Sequence, residues 1–405
     1  MATLHHLELL VKDGLRFATN LAKQYSMTLS ALRETEGACQ WVVRTGNAVF
    51  VVTEPKDSKI PYSHPQHPAL SLQSSKLDQG VGTVFDIAVR VKNINRVLTN
   101  CHAIGGEILM PATRTRDEFG ICERAVIRSC VGNVVHTLIN REDYKGPFLP
   151  GFISSTPALE NKSSAFSAES LINHVDHITL VCQRGETDNV LSWYEKVFGF
   201  SRFFMNKTET ETDGFVLQGN IGLRLKAMEY FHCSEMMLTS DLKDENALRI
   251  VIAESLPGHD AQSNQVESFI EEHDGPGVQH VGLYTDDIVQ AASNARKMGV
   301  NLQIPPILYY SHAGKLKEIA SSGECVQRLR ENGILLDSEA DINEGSSKSR
   351  RKYLKQIFTK PIFDRNTFFL ELIERRGAQG FGTGNIAALW WSVQQTLNLQ
   401  KAIAT

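Results

Sequence analysis

The chain has 405 residues, 42% of them hydrophobic and 22% charged, and a formal net charge of -4. That length fits two domains or one large duplicated domain, and the composition supports a substantial core. The slight negative charge provides no broad basic surface, so neither nucleic acid nor an anionic membrane is the expected partner. The seven cysteines are scattered, odd in number and without a C-x-x-C pair, which points to reduced thiols rather than a disulfide framework or a zinc knuckle. No apolar run reaches the length of a membrane span. The opening "MATLHHLELLVKDG" carries no signal h-region and no clear Arg/Ser-rich transit peptide.

Taken in chain order, four eight-residue segments share one pattern: "LHHLELLV" (4–11), "VFDIAVRV" (84–91), "VDHITLVC" (175–182) and "VQHVGLYT" (278–285). Each reads as a strand, by alternation or by a continuous apolar run. Each is followed by a helical stretch: "GLRFATNLAKQY", "NINRVLTNCHAIGG", "NVLSWYEKVFGF" and "DIVQAASNARKMGV". Further strands follow, among them "QWVVRTGNAVFVVTE", "NVVHTLIN", "IGLRLKAM" and "TFFLELIE". The sequence therefore predicts an α+β fold of four βαβββ modules paired into two halves. Residues 153–172, rich in Ser and Asn, read as the linker; the halves are residues 1–152 and 173–405. The stretch "DSEADINEGSSKSRRKYLKQ" (337–356) reads as an exposed loop whose acidic run offsets its basic end.

The third position of the four repeated segments holds His6, Asp86, His177 and His280. The matching position on the terminal strand of each half holds Thr137 and Glu371. Only the second half thus aligns two imidazoles and a carboxylate. If its strands curl into a cup, His177, His280 and Glu371 project inward together. Two histidines and one carboxylate on one face leave positions for substrate and O2, the pattern of non-haem Fe(II) oxygenases. His174 and Asp176 also fit H-x-D, and His6 and Glu8 fit H-x-E, but both patterns recur by chance. Strand alternation places Asp176 away from His177. Near the end, "GFGTGNIAALWW" (380–391) is no dinucleotide fingerprint, because no parallel strand follows it. Its glycines permit a sharp turn into a helix that closes the cup, in which Trp390 and Trp391 are packing residues.

These segments resemble the 4-hydroxyphenylpyruvate dioxygenases of the vicinal oxygen chelate superfamily. The resemblance is carried by "VDHITL", "WYEKVFGF", "GPGVQHVGLYTDDI", "KQIFTKPIFDRNTFFLELIERRG" and "QGFGTGNIAAL", and more weakly in the first half by "FDIAVRV" and "HTLINREDYKGPFLPGF". It implies two half-barrel domains of that superfamily, a non-metal first half and an iron-binding second half, with a lid helix. It places His177, His280 and Glu371 on the iron ligands and Gln265, Gln279 and Gln356 on the pocket glutamines. Phe358, Phe369 and Phe381 fall on the aromatic wall, and Asn385 on the asparagine of the final loop. It implies Fe(II) as cofactor, an aryl 2-oxo acid and O2 as reactants, a homodimer and mitochondrial residence.

The chain departs from the family in two places that bear on substrate. A Ser-x-Val-Val-x-Asn strand and an Asn-Glu-Pro segment that hold the phenol end are replaced by "RIVIAESLPGHDAQSNQ" (249–265). The final G-N-Phe becomes Gly384-Asn385-Ile386, as in 4-hydroxymandelate synthase and the animal dioxygenase-like paralogues. That resemblance implies 4-hydroxymandelate as product, feeding ubiquinone head-group synthesis, with homogentisate as the alternative. A glyoxalase-like isomerase and a non-catalytic binding protein are the readings from other classes. Metal analysis with O2 uptake separates all of them.

Overall fold

In the computed structural model, the described residues are 2–56, 69–73, 76, 79–155, 170–205, 209–219, 221–230, 248–261, 264–311, 313–339 and 352–388. Most of the expected linker, residues 340–351, Trp390 and Trp391, and the rest of the expected closing helix lie outside them; the two ends of the expected loop 337–356 are strand rather than loop.

The first half begins with β1 (Ala2–Leu10), α1 (Gly14–Gln24), β2 (Thr28–Glu34), β3 (Ala38–Thr45) and β4 (Ala48–Pro55). It continues with β5 (Thr83–Val91), α2 (Ile94–Ala103), β6 (Ile108–Asp117), β7 (Gly120–Arg128) and β8 (Val135–Asn140), and ends in a short β9 (Ile153–Ser154). The second half repeats the plan: β10 (His174–Val181), α3 (Thr187–Phe198), β11 (Ser201–Phe203), β12 (Phe215–Leu217), β13 (Leu223–Glu229) and β14 (Arg249–Ser255). After α4 (Gln265–His273) come β15 (Gly277–Tyr284), α5 (Ile288–Lys297), α6 (Ile307–Ser311), α7 (Ala313–Ser322) and α8 (Val326–Asn332). Then follow β16 (Leu335–Glu339), β17 (Lys352–Phe358) and β18 (Phe369–Arg376).

Each half is one curled mixed sheet. The strand orders are β6-β7-β8-β5-β1-β4-β3-β2-β9 and β11-β13-β14-β10-β15-β18-β17-β16, with β12 beside β13. Within each module the first strand runs parallel to the last: β1 with β4, β5 with β8, β10 with β14 and β15 with β18. The two modules of a half join through antiparallel first strands, β1 with β5 and β10 with β15. The four-module pattern is therefore present. Helices α4 and α6–α8 are additions that the repeat did not foretell.

Local signals start the helices. Asp13, Asn93, Asn264 and Asp287 each accept a backbone N–H of the first turn of α1, α2, α4 and α5, the favoured N-cap chemistry. Gly199, left-handed at φ 81°, ends α3. The inward faces of the four module helices supply Ala18 and Leu21, Ile94 and Val97, Val190 and Tyr194, and Ile288 and Ala292 to one apolar core shared with Leu7, Ile87, Ile178 and Val281 of the strands. The opposite, concave faces carry smaller apolar clusters alongside the buried polar groups.

The halves meet through side chains of α3. Tyr194 OH lies 3.0 Å from His136 Nε2, and the Trp193 ring stacks on His136 at 5.7 Å. Asn100 Nδ2 donates to the Val197 carbonyl at 3.2 Å. Cys39, Cys101, Cys122, Cys130, Cys182 and Cys325 are free thiols, as expected; Cys233 lies outside the described residues. Among the described residues no helix is long and apolar enough to cross a membrane.

Burial holds His136 down to about 4 from 6.5, against the raising effect of its hydrogen bond to the Ile87 carbonyl. The unfolded chain takes up this proton near pH 6.5 and the folded chain does not, so this contribution is complete above 6.5 and is lost as pH falls toward 4. Urea unfolding should show less stability at pH 5 than at pH 7. The His136→Gln variant, which does not titrate, should lose less over that interval, by on the order of 2 kcal/mol.

Candidate metal centre

Strands β10, β15 and β18 lie side by side in the middle of the second sheet. Thr179 pairs with His280, His177 with Gly282, and Gly282 with Glu371. That register brings His177, His280 and Glu371 onto one concave patch, with ligand atoms all within 4.8 Å of one another. His177 Nε2 lies 3.3 Å and His280 Nε2 3.7 Å from the same oxygen, Glu371 Oε2. His177 and Glu371 are buried, and His280 is nearly so.

The far sides of the rings are also engaged. His177 Nδ1 lies 2.8 Å from Asp176 Oδ1, and His280 Nδ1 lies 3.2 Å from Gln279 Oε1. An Nδ1–H donated outward on each ring would leave both Nε2 atoms as ligands, the orientation that ligand histidines need; Thr179 Oγ1 also lies 2.9 Å from His280 Nε2. Burial disfavours a charged His177, yet the Glu371 charge and the bonds from Asp176 and Glu371 outweigh it and push His177 up to about 9. Burial and the His177 charge hold His280 well below its ordinary value. A bound divalent cation would displace the His177 proton, and two imidazoles with one carboxylate, set in a field that favours positive charge, fit a cation of the Fe(II) type.

Asp176 corrects the sequence reading, which turned it away from His177. The ladder between β10 and β15 slips between Val175 and His177, leaving Asp176 as an extra residue. A bulge of this kind breaks strict alternation. Asp176 therefore faces the imidazole, and Arg375 grips it from behind through two bonds of 2.6 and 2.7 Å. Burial opposes the Asp176 charge, but the Arg375 guanidinium keeps its carboxyl well below the usual range.

Gln356 Nε2 donates to Glu371 Oε1 at 2.8 Å and to the Phe381 carbonyl at 3.1 Å, while its Oε1 accepts from Asn385 Nδ2 at 2.8 Å. Asn385 Oδ1 accepts from Tyr309 OH at 2.7 Å and from Lys315 Nζ at 3.2 Å. Phe369 stacks on His280 at 4.7 Å, Phe358 stands edge-on to Phe369 at 6.1 Å, and Phe381 meets His177 at 4.9 Å. Ile386 packs against the apolar cluster of Phe381, Val251 and Ala253. Gln265 is not brought to this group. It is exposed at the first position of α4, which turns Val266 and Phe269 inward, and the buried Asn264 caps the helix. Arg249 also faces other charges: its Nε donates to Glu229 at 3.2 Å and its guanidinium reaches to 4.0 Å from Asp176.

The glycine-rich stretch is a close-packed turn. A Cβ on Gly382 (φ +71°) would fall 1.7 Å from Gln356 Oε1, and one on Gly384 would fall 2.1 Å from Asp337 Oδ1. Residues 383–388 then begin a helix. Sequence reasoning missed Arg375, Tyr309, Lys315 and Gly282. For Gly282 a signal existed, since it lies two residues beyond His280 in "HVGL", on the same face of the strand.

A curled pair of βαβββ sheets with two histidines and a carboxylate on the concave face defines a vicinal oxygen chelate protein. Residues 172–317 match the model described as the Glyoxalase/Bleomycin resistance protein/Dioxygenase superfamily. A 4-hydroxyphenylpyruvate dioxygenase-like protein of Rattus norvegicus is 36% identical over 395 residues, 96% of this chain and 95% of its own. A protein of the same description from Homo sapiens is 35% identical, with the same coverage. The 4-hydroxyphenylpyruvate dioxygenase of Yarrowia lipolytica is 31% identical over 77% of this chain and 72% of its own. A mutant 4-hydroxymandelate synthase from Streptomyces coelicolor shares the fold, with a TM-score of 0.68 at 21% identity and 98% coverage of both chains. The chain belongs to the 4-hydroxyphenylpyruvate dioxygenase-like family.

A Cβ on Gly282 would lie 2.4 Å from His177 Cε1. Gly282→Ala should therefore displace that imidazole and lower affinity for a divalent metal by about 10–100-fold, with the fold retained. Metal titration and circular dichroism on the same sample check both halves of the expectation.

Proposed function

We propose that this protein is an Fe(II)-dependent oxygenase that converts 4-hydroxyphenylpyruvate and O2 to 4-hydroxymandelate and CO2. The observation that supports it most is the convergence of His177 Nε2 and His280 Nε2 on Glu371 Oε2, in a chain of this family. These three side chains would hold the metal, which supplies bidentate binding of a 2-oxo acid and activation of O2. In the overall change, the bond between the 2-oxo carbon and the carboxyl carbon breaks and CO2 leaves. One atom of O2 completes the new carboxylate and the other becomes the benzylic hydroxyl.

The chain's own residues set the outcome. Asp176 and Gln279 hold the two imidazoles, and Gln356 holds the Glu371 carboxylate. Phe369, Phe358 and Phe381 offer an aromatic wall beside the centre. Ile386 adjoins Phe381 at the last position of the Gly-Asn-x turn. A branched aliphatic side chain there leaves the substrate ring room to swing aside and presents the benzylic carbon. A large aromatic would press the ring forward and favour homogentisate. A barrier difference of ~1.4 kcal/mol decides such a branch tenfold. Mitochondrial residence, a homodimer and delivery of product toward the ubiquinone head group belong to the same proposal.

The test is anaerobic Fe(II) loading, addition of 4-hydroxyphenylpyruvate and O2, and identification of the product by mass spectrometry. 4-Hydroxymandelate is expected. Homogentisate as the main product overturns the assignment, and no O2 uptake by iron-loaded protein overturns the enzyme reading altogether. Ile386→Phe should divert part of the flux to homogentisate. If the residue only packs the turn, rate falls and the product ratio stays fixed.

His177→Ala, His280→Ala and Glu371→Ala should each abolish turnover with the fold retained by circular dichroism, whereas His6→Ala and Asp86→Ala should leave bound iron unchanged. Iron lost from the His6 variant would place the centre in the wrong half.

A further inference from the structure

The first sheet carries a second buried cluster at the matching place. Glu8 pairs with Asp86 as Thr179 pairs with His280, and His6 with Ala88 as His177 with Gly282. Thr137 lies two residues past Val135, the partner of Asp86, as Glu371 lies two residues past Phe369, the partner of His280. A cavity of about 50 Å³ opens there, bordered by His6, Glu8, Asp86, Arg33 and Arg124. That is room for a few waters or one small solute.

The polar groups divide by whether they are already satisfied. Glu8 Oε1 accepts from the Thr53 hydroxyl and from Gln40 Nε2. Asp86 accepts from the Thr137 backbone N–H at 2.9 Å and from the Thr137 hydroxyl. Arg33 Nε donates to Gln40 Oε1 at 2.7 Å, NH1 reaches the Pro150 carbonyl at 3.4 Å, and the guanidinium lies 4.4 Å above the Phe152 ring. Arg124 is different. Its Nε is buried without any partner, and among the described residues its guanidinium makes no ion pair. Arg124 is half-buried, and an enclosed N–H without an acceptor is costly.

The charges point the same way. Burial and the Glu8 charge push Asp86 up to about 8, so it is largely protonated at neutral pH. Burial, then Arg33 and Arg124, hold His6 neutral, down to about 3. Two guanidiniums then face the single carboxylate of Glu8, and each positive charge disfavours the other: burial and Arg124 lower Arg33 to about 10. One positive charge is left without a partner at the cavity.

We propose that the concave cavity of the first half is a binding site for a small monoanion, a short-chain carboxylate paired with Arg124 and Arg33. Its two oxygens match the planar donor fork of a guanidinium. Its carbon end meets the Phe85 and Phe148 rings that complete the wall. The rival occupant is a divalent cation, since the ligand atoms of His6, Glu8 and Asp86 lie within 4.8 Å of one another. Two guanidiniums on the same cavity oppose a cation, and a cation would leave Arg124 unpaired.

The test uses the full chain carrying Glu371→Gln, which removes a metal ligand from the second-half centre without opening a hole that acetate could fill, and acetate as the probe in isothermal titration at low salt. One saturable site is expected. Arg124→Gln should weaken it by about tenfold or more, and Arg124→Lys, which keeps the charge without the fork, should fall between. Glu8→Gln should bind acetate at least as well. Absence of saturable binding, or equal affinity in the Arg124→Gln and parent chains, overturns the proposal. So does Mn²⁺ bound in this background and lost on Glu8→Gln, which would establish the cation instead. Arg124→Lys and Glu8→Gln carry the test if Arg124→Gln does not fold.

Discussion

The centre of the second half rests on one extra residue in a strand. The slip between Val175 and His177 turns Asp176 to the His177 ring, and Arg375, from β18, closes a bidentate grip on the carboxylate. The result is a buried chain of guanidinium, carboxylate and imidazole that ends at Nε2. Asp176 and His177 are buried, so removing a partner leaves a buried charge, which costs about 3–5 kcal/mol. The arrangement fixes ring orientation by ionic contacts behind the histidine rather than by packing alone.

The first half shows what the same scaffold becomes without that grip. The ladder of β1 and β5 slips at the matching place, but the extra residue is His5, whose Nδ1 lies 2.7 Å from His6 Nδ1. One imidazole thus replaces the anchoring carboxylate. Thr137 stands in place of Glu371, and the carboxylates are moved to Glu8 and Asp86. The concave face stays polar and buried, although its charge pattern is inverted by Arg33 and Arg124. Duplication supplied the cup, and side-chain exchange at a few register positions set the sign of what each cup accepts.

Much of this was legible from residue order. The repeat was visible because each module begins with a strand of fixed pattern and ends with another, so His177, His280 and Glu371 could be aligned although they are far apart in the chain. Asp176 was misread because a bulge leaves no mark in periodicity: alternation was the right rule for a regular strand and failed at a single irregular one. Gln265 was misplaced because its neighbour Asn264 is the better helix cap, and that choice turned Gln265 outward. The partners of Asn385 were hidden for another reason. Tyr309 and Lys315 lie on α6 and α7, inserted helices that have no counterpart in the repeat.

The Gln356 amide joins two things usually considered apart. It donates to a carboxylate oxygen of the candidate metal centre and accepts from Asn385 at the start of the closing segment. The glycine at 382 lets the turn come close enough for this link. An outward swing of residues 383–388 therefore cannot leave the Glu371 carboxylate untouched, because it frees the amide that holds it. Access to the cup and the rigidity of its carboxylate ligand become one mechanical variable. A closed segment means a firmly held oxygen donor, and an open one means a donor with freedom to turn.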